Sequence, residues 1–313
     1  MSGPRISVLG SCNLDVVAFV DRPPRLGETV LGRDLTTVPG GKGVNTAIAA
    51  ARAGGRVGLI GAVGADPFGR AVREMLRESG VDAARVRETD VPTGTAHITV
   101  DADGHTAKVL VPGANGTLEA LTDDDRAEIA AGRLLLTQLE LPVGAVVDGL
   151  TAARRAGVRT VVSPARVPRL PEEVAAGADL LVAHEREAAE LAADGAQSGP
   201  DSPEALLEAL LRKVPEAVIT LGPHGCVWGS RRTGPVRVPA PHTEVVDSTA
   251  GGDAFVGAFA VALAEGMPIV TALRRGVAAG TLAVGRPGGS SSLPGRAEID
   301  ALADELAEAD LPQ

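Results

Sequence analysis

The chain is poor in aromatic residues, with no tyrosine, one tryptophan and four phenylalanines in 313 residues. A row of exposed rings on which single-stranded nucleic-acid bases could stack is therefore excluded. Cysteine is also scarce. Cys12 and Cys226 lie far apart with no Cys or His run beside either, which excludes a disulfide framework and a zinc knuckle and fits a reducing cytoplasm. Thirty basic residues face forty acidic ones, and the net charge of −10 repels nucleic-acid phosphates and anionic membranes alike. No apolar run is long enough for a membrane span, and the first ten residues read as a strand rather than a targeting segment.

What is present suits a large core. Hydrophobic residues make up 44% and charged ones 22%, with mean hydropathy +0.14, so the core is built from Ala, Val, Leu and Ile in one large domain with a small appendage. Short apolar runs at 6–9, 57–62, 134–137, 160–163, 180–183 and 218–221 read as buried strands. Helical stretches at 45–53, 68–79, 123–131, 143–156 and 185–193 alternate with them, which predicts an α/β fold with a parallel sheet covered on both faces. Residues 14–38 and 93–111 break the rhythm with extended, partly alternating patterns and read as a second, smaller sheet. The Gly/Ser/Asp/Pro-rich segment 194–203 reads as a loop, and the last third as helices at 251–265, 269–284 and 296–309. No fixed-period repeat interrupts this order.

Two clusters of small residues stand out. Pro39-Gly40-Gly41-Lys42-Gly43-Val44-Asn45 opens a helix, where backbone amides can approach a ligand closely or where the turn simply needs glycine. It is not a Walker A loop, because Gly43 rather than Ser or Thr follows Lys42. Val246-Asp247-Ser248-Thr249-Ala250-Gly251-Gly252-Asp253 precedes an all-round apolar helix, so the amides of Ala250, Gly251 and Gly252 can form an anion nest at its positive end. Asp253, in the first turn, is either a helix cap or a carboxylate placed to take a proton. His97, His105 and His242 have no partner at metal-ligand spacing, and Trp228 reads as core or edge packing.

Taken together, and in this order and spacing, the segments resemble the ribokinase-like family of carbohydrate kinases from Ile6 to about Leu302. The resemblance implies a three-layer αβα sandwich with a mostly parallel central sheet and a small β-sheet lid. The core would comprise residues 1–12, 39–92 and 112–313, and the lid 13–38 and 93–111. It implies ATP-dependent phosphorylation of the primary hydroxyl of a sugar, D-ribose first. Another sugar or a nucleoside as acceptor, or a catalytically weak sugar-binding regulator, are the alternatives.

Gly10-Ser11-Cys12-Asn13-Leu14-Asp15 is similar to the family's first strand and its continuation, so Asn13 and Asp15 would bind sugar hydroxyls. Gly41, Lys42, Gly43 and Asn45 would form the sugar-binding loop, and Glu140 of Gln138-Leu139-Glu140 would contact the sugar. Thr220, Leu221, Gly222, His224 and Gly225 resemble the nucleotide-binding turn. Ala250, Gly251 and Gly252 would be the anion hole, Gly252 meeting the nucleotide, and Asp253 the base that also meets the sugar. The segment 283–294 resembles a potassium loop, with Asp247, Thr249, Ala283, Arg286, Gly288 and Ser292 as ligands.

Magnesium would be organised through Glu187, where the family's Asn-x-x-Glu has become His184-Glu185-Arg186-Glu187. The second departure is Ala250-Gly251-Gly252 in place of the commoner Gly-Ala-Gly. A homodimer joined through the lid is the implied assembly, with neither nucleic acid nor membrane as partner.

Overall fold

The computed structural model describes residues 3–165, 167–194 and 202–309, so residues 195–201 of the predicted loop lie outside the described residues. The chain begins β1 (Arg5–Leu9), β2 (Asn13–Val20), β3 (Gly32–Gly40), α1 (Lys42–Arg52), β4 (Arg56–Gly64), α2 (Pro67–Glu78), β5 (Asp82–Thr89), β6 (Gly94–Val100) and β7 (Thr106–Val111). After a 3-10 turn at Gly113–Thr117 come α3 (Asp123–Ala130), β8 (Leu134–Thr137), α4 (Val143–Ala156), β9 (Arg159–Val162), α5 (Glu172–Gly177), β10 (Leu180–His184), α6 (Glu185–Ala193) and α7 (Pro203–Leu211). The remainder is β11 (Glu216–Thr220), β12 (Cys226–Ser230), β13 (Val236–Val238), α8 (Gly251–Ala264), α9 (Ile269–Val284) and α10 (Arg296–Ala309).

Local chemistry explains many of the boundaries. Asp66 accepts the Gly69 amide at 2.8 Å and Pro67 follows it, which starts α2. Thr122 and Asp125 close a capping box on α3, and Gly157, at φ 70°, stops α4 in the left-handed conformation.

Nine strands form the central sheet in the order β13-β12-β11-β10-β9-β8-β1-β4-β5, parallel from β11 to β5. β12 and β13 run antiparallel at one edge. Strand alternation sorts side chains onto two faces. Ile6, Val8, Leu134, Leu136, Leu180 and Val182 face a core shared with α1, α2, α8, α9 and α10. Leu9, Leu135, Leu181 and Ile219 face the core under α3 to α7. The three-layer sandwich and the small separate sheet are thus as expected.

Several elements escaped the sequence pattern. β5 mixes charged and small residues as an edge strand does, the apolar run of β12 is cut at Gly229, and β13 has only three residues; α5 and α7 also went unread. Trp228 is core, 7% exposed on β12, with Nε1 donating to Glu216 Oε2 at 3.3 Å. The small sheet has the order β3-β2-β6-β7, with β2 and β6 parallel and the outer pairs antiparallel. Among the described residues no helix is long and apolar enough to cross a membrane.

α1 and α8 lie side by side. A Cβ on Gly257 would fall 2.5 Å from Ala49 Cβ and 2.7 Å from the Ala50 nitrogen, so the backbones approach as closely as small residues permit. We expect Gly257→Ala to force the two helices apart and to cost about 1–3 kcal/mol, the usual penalty of overpacking, read as a lower urea midpoint at unchanged slope.

Candidate active site

The sequence-predicted residues gather at the carboxyl ends of the central strands, where open α/β sheets bind ligands. β1 runs out into Gly10 to Asn13, β8 into Gln138 to Glu140, β10 into His184 and β11 into Thr220, while α1 and α8 begin on the same edge. The glycine loop needs its glycines for backbone approach. Gly41 has φ 93°, and a Cβ on Gly43 would lie 2.4 Å from the carbonyl carbon of Gly10. Ser11 fills the space beneath: its hydroxyl donates to Glu140 Oε2 at 2.6 Å and accepts the Gly43 amide at 3.4 Å. The Lys42 amide reaches the same Glu140 oxygen at 3.5 Å.

Asn45, on the second turn of α1, donates through Nδ2 to Asp253 Oδ2 at 3.1 Å. Asp253 therefore does more than occupy a helix start, since its carboxylate is tied to a second helix. Burial pushes the Asp253 carboxyl up, opposed by the Lys42 charge and the Asn45 bond and reinforced by Glu140 and Glu187. Lys42 shows the mirror image: burial disfavours its charge, but Asp253, Glu187 and Glu140 outweigh burial and raise its pKa. Its Nζ lies 3.9 Å from Glu187 Oε1. Asp15 points at the loop from β2, so close that a Cβ on Gly40 would sit 2.6 Å from its Oδ2. Burial pushes Asp15 up to about 6; Lys108 of β7 opposes this, and Glu140 and Asp253 add to it.

At the start of α8, Ala250 sits in the left-handed region at φ 60°, a conformation that costs an L-residue roughly 1–2 kcal/mol. Strain of this kind is tolerated where a site needs the backbone turned. Gly251 packs against α9, where a Cβ would meet Val284 Cγ1 at 2.6 Å, whereas a Cβ on Gly252 would meet nothing within 4 Å. The open side of the nest is thus at Gly252. Leu221 to Gly225 fold into a tight turn closed by the Leu221 amide on the Gly225 carbonyl at 2.8 Å, with Gly222 at φ 56° and Gly225 at φ 81°.

His184 is the N-cap of α6. Its Nδ1 accepts the Arg186 amide at 3.3 Å, while Glu187 Oε2 accepts the His184 amide at 2.9 Å. Both Glu187 oxygens already face protein partners, so this pair fits a magnesium ion only through the ion's water shell. Asp247 ties two segments together by accepting the Thr249 amide at 2.8 Å and the Gly288 amide at 3.0 Å. Burial pushes its carboxyl up, but the Thr249 hydroxyl and amide and the Gly288 amide outweigh this and leave it below its ordinary value. Ser292 donates its hydroxyl proton to the Gly289 carbonyl at 2.8 Å, leaving its oxygen lone pairs as hard donors alongside nearby carbonyls, a donor set that fits a monovalent cation. The Arg286 side chain is drawn away to Glu298 of α10, so only its backbone carbonyl is available to such an ion.

Sequence reasoning missed Ser11 as a support for Glu140, and Asn115, whose contacts are described below. A lone Ser or Asn in a loop carries no spacing signal. His105, read as unpartnered, instead lies with Asp101 and Asp103 at the exposed β6–β7 turn, their donor atoms within 4.8 Å of one another. Asp101 accepts the Asp103 and His105 amides and so closes the turn between the two extended runs of 93–111, which brings these side chains together. His97 contacts Thr95 Oγ1 at 3.0 Å.

A match to the pfkB family of carbohydrate kinases spans residues 4–296. The ribokinase of Bacillus subtilis is 36% identical over 302 residues, covering 95% of this chain and 98% of its own length. The ribokinase of Mus musculus is 32% identical over 300 residues, with 94% and 93% covered. The structure of Arabidopsis thaliana ribokinase complexed with ribose and ATP matches at TM-score 0.88 and 29% identity, over 96% of this chain and 99% of that one. The match extends over nearly the whole chain and over the edge of the sheet where these side chains meet, and the chain belongs to the pfkB family of carbohydrate kinases.

Proposed function

We propose that this carbohydrate kinase transfers the γ-phosphoryl group of ATP to the primary hydroxyl of D-ribose, giving ribose 5-phosphate and ADP. The observation that carries the reading is the Asn45–Asp253 contact between the starts of α1 and α8, flanked by Asp15 and Glu140. The ribokinases among its relatives, one with ribose and ATP bound, support ribose as the acceptor. Asp253 takes the hydroxyl proton as the sugar oxygen attacks the γ-phosphorus and the bond to the bridging oxygen of ADP breaks. Asn45 holds the carboxylate in position, and the Lys42 charge opposes the upward push of burial on it. The amides of Ala250, Gly251 and Gly252 face the charge that gathers on the transferring oxygens.

Asn13, Asp15 and Glu140 bind sugar hydroxyls with the loop from Gly41 to Gly43, and the small sheet acts as the lid that keeps out water. The nucleotide lies along Thr220 to Gly225 and the Gly252 side of the nest, with Glu187 and His184 beside its phosphates. Magnesium would neutralise phosphate charge, held by Glu187 through water. Potassium, held by carbonyls of Asp247, Thr249, Ala283, Arg286 and Gly288 and by Ser292, would strengthen the positive field behind the nest. Two buried, unpaired cysteines, their thiols pushed up to about 12 by burial, fit a cytoplasmic enzyme.

The face of the small sheet turned away from the cleft carries Leu35 and Val109, 61% and 64% exposed, with Val111 beside them. We propose that a second copy covers this face. Light scattering should give twice the 31.6 kDa chain mass, and Val109→Asp should yield monomers; a monomeric parent protein would refute the dimer.

Asp253→Asn keeps the shape but accepts no proton, and should lower kcat by about 10²–10⁴-fold while ribose binding by calorimetry stays within about threefold. Activity near that of the parent protein would remove Asp253 from the role of base.

Asp15 binds hydroxyls best as a carboxylate, and burial has pushed it up to about 6. The sugar KM should therefore be flat above that pH and rise about tenfold for each unit below it, while Asp15→Asn should abolish this acid limb. A pH series of initial rates in ribose, from 5 to 8 at saturating nucleotide, reads both.

A further inference from the structure

The chain passes between the central and small sheets four times: between β1 and β2, between β3 and α1, between β5 and β6, and after β7. Three of these crossings meet at one side chain. Asn115, in the turn Gly113–Thr117, is 1% exposed. Its Oδ1 accepts the Cys12 amide at 2.8 Å. Its Nδ2, with two protons to share among three acceptors, faces the Cys12 carbonyl at 3.1 Å, Asn13 Oδ1 at 2.8 Å and the Pro112 carbonyl at 3.0 Å. Cys12 and Asn13 make the first crossing and Pro112 the last. The third is Gly94, where a Cβ would lie 2.4 Å from Asn115 Nδ2 and 2.4 Å from Asn13 Oδ1.

The backbone decides which way both amides face. The Cys12 N–H can only donate and its carbonyl can only accept, so Asn115 must turn its oxygen to the former and its nitrogen to the latter. That nitrogen also faces Asn13, which must answer with its oxygen. The Asn13 Nδ2 donor is left as the end available to a sugar oxygen.

We propose that Asn115 is a positioning residue that fixes the Asn13 amide with its donor toward the sugar and pins the small sheet to the central one at three crossings. The first half rests on the reading of Asn13 as a sugar contact; the second does not. One carboxamide suits both roles at once, because it supplies an acceptor and two protons in a single plane.

The test combines kinetics with hydrogen exchange. Asn115→Ala should raise the ribose KM about tenfold, with kcat and the ATP KM within about twofold of the parent protein. In an Asn13→Ala background the same change should add less than about twofold, because the residue acts through Asn13. Amide exchange should quicken in β2, β6 and β7 but not in β8 to β11. Gly94→Ala wedges a methyl between the two amides and should show the same pattern, and it decides the matter if Asn115→Ala does not fold.

Additive effects on the ribose KM would overturn the role through Asn13, and exchange that quickens evenly or not at all would overturn the pin. If Asn13→Ala alone leaves the ribose KM unchanged, the sugar contact itself is wrong, and the exchange experiment still judges the pin.

Discussion

The site depends on how closely two helices can lie. Ala49 and Gly257 are each one turn beyond Asn45 and Asp253, so the spacing at the small-residue contact sets the spacing at the polar one. A bulkier pair would hold α1 and α8 apart at the contact and carry the Asn45 nitrogen beyond hydrogen-bond reach of the carboxylate. The helices deliver different things to the same point. α1 brings the glycine loop and Lys42, and α8 brings its positive end and Asp253. An aromatic-poor core suits this arrangement, because alanine and glycine faces let helices approach in a way that large rings would prevent.

Burial concentrates the electrostatics. Asp15, Glu140, Asp253 and Glu187 surround the Lys42 region, and desolvation alone would neutralise the most deeply placed of them. The ammonium group opposes that tendency for Asp253 without cancelling it, while the carboxylates outweigh burial at the lysine and favour its charge. Ser11 completes the arrangement by donating to the Glu140 oxygen that also faces the Lys42 amide, so that oxygen is held by the protein. The charge state of each group is therefore a property of the cluster.

The sandwich was readable because most of its parallel strands are short apolar runs and helical stretches alternate with them. β5, β12 and β13 were not: β5 is an edge strand with charged residues along it, the apolar run of β12 is cut at Gly229, and β13 has only three residues. The two small-residue clusters marked the starts of α1 and α8, yet the contact between Asn45 and Asp253 joins residues 208 apart and exists only once the helices pack. His184 illustrates a different limit. An imidazole at a helix start carries no such cue, and only the geometry reveals that its Nδ1 takes over the acceptor role that an asparagine oxygen plays at an N-cap. Asn115 was invisible for the same reason, as its partners, the Cys12 and Pro112 backbone and the Asn13 side chain, come together only in the fold.

The small sheet is assembled from two stretches of chain, 13–40 and 94–111, joined where β2 lies parallel to β6. Neither stretch makes the sheet alone. A contiguous inserted domain can be exchanged between proteins as a cassette, but this sheet has no single pair of cut points that would release it. Its acceptor preference is therefore open to evolution mainly through single side chains on the cleft-facing side of four strands, each change made while the chain's repeated passage between the two sheets stays intact.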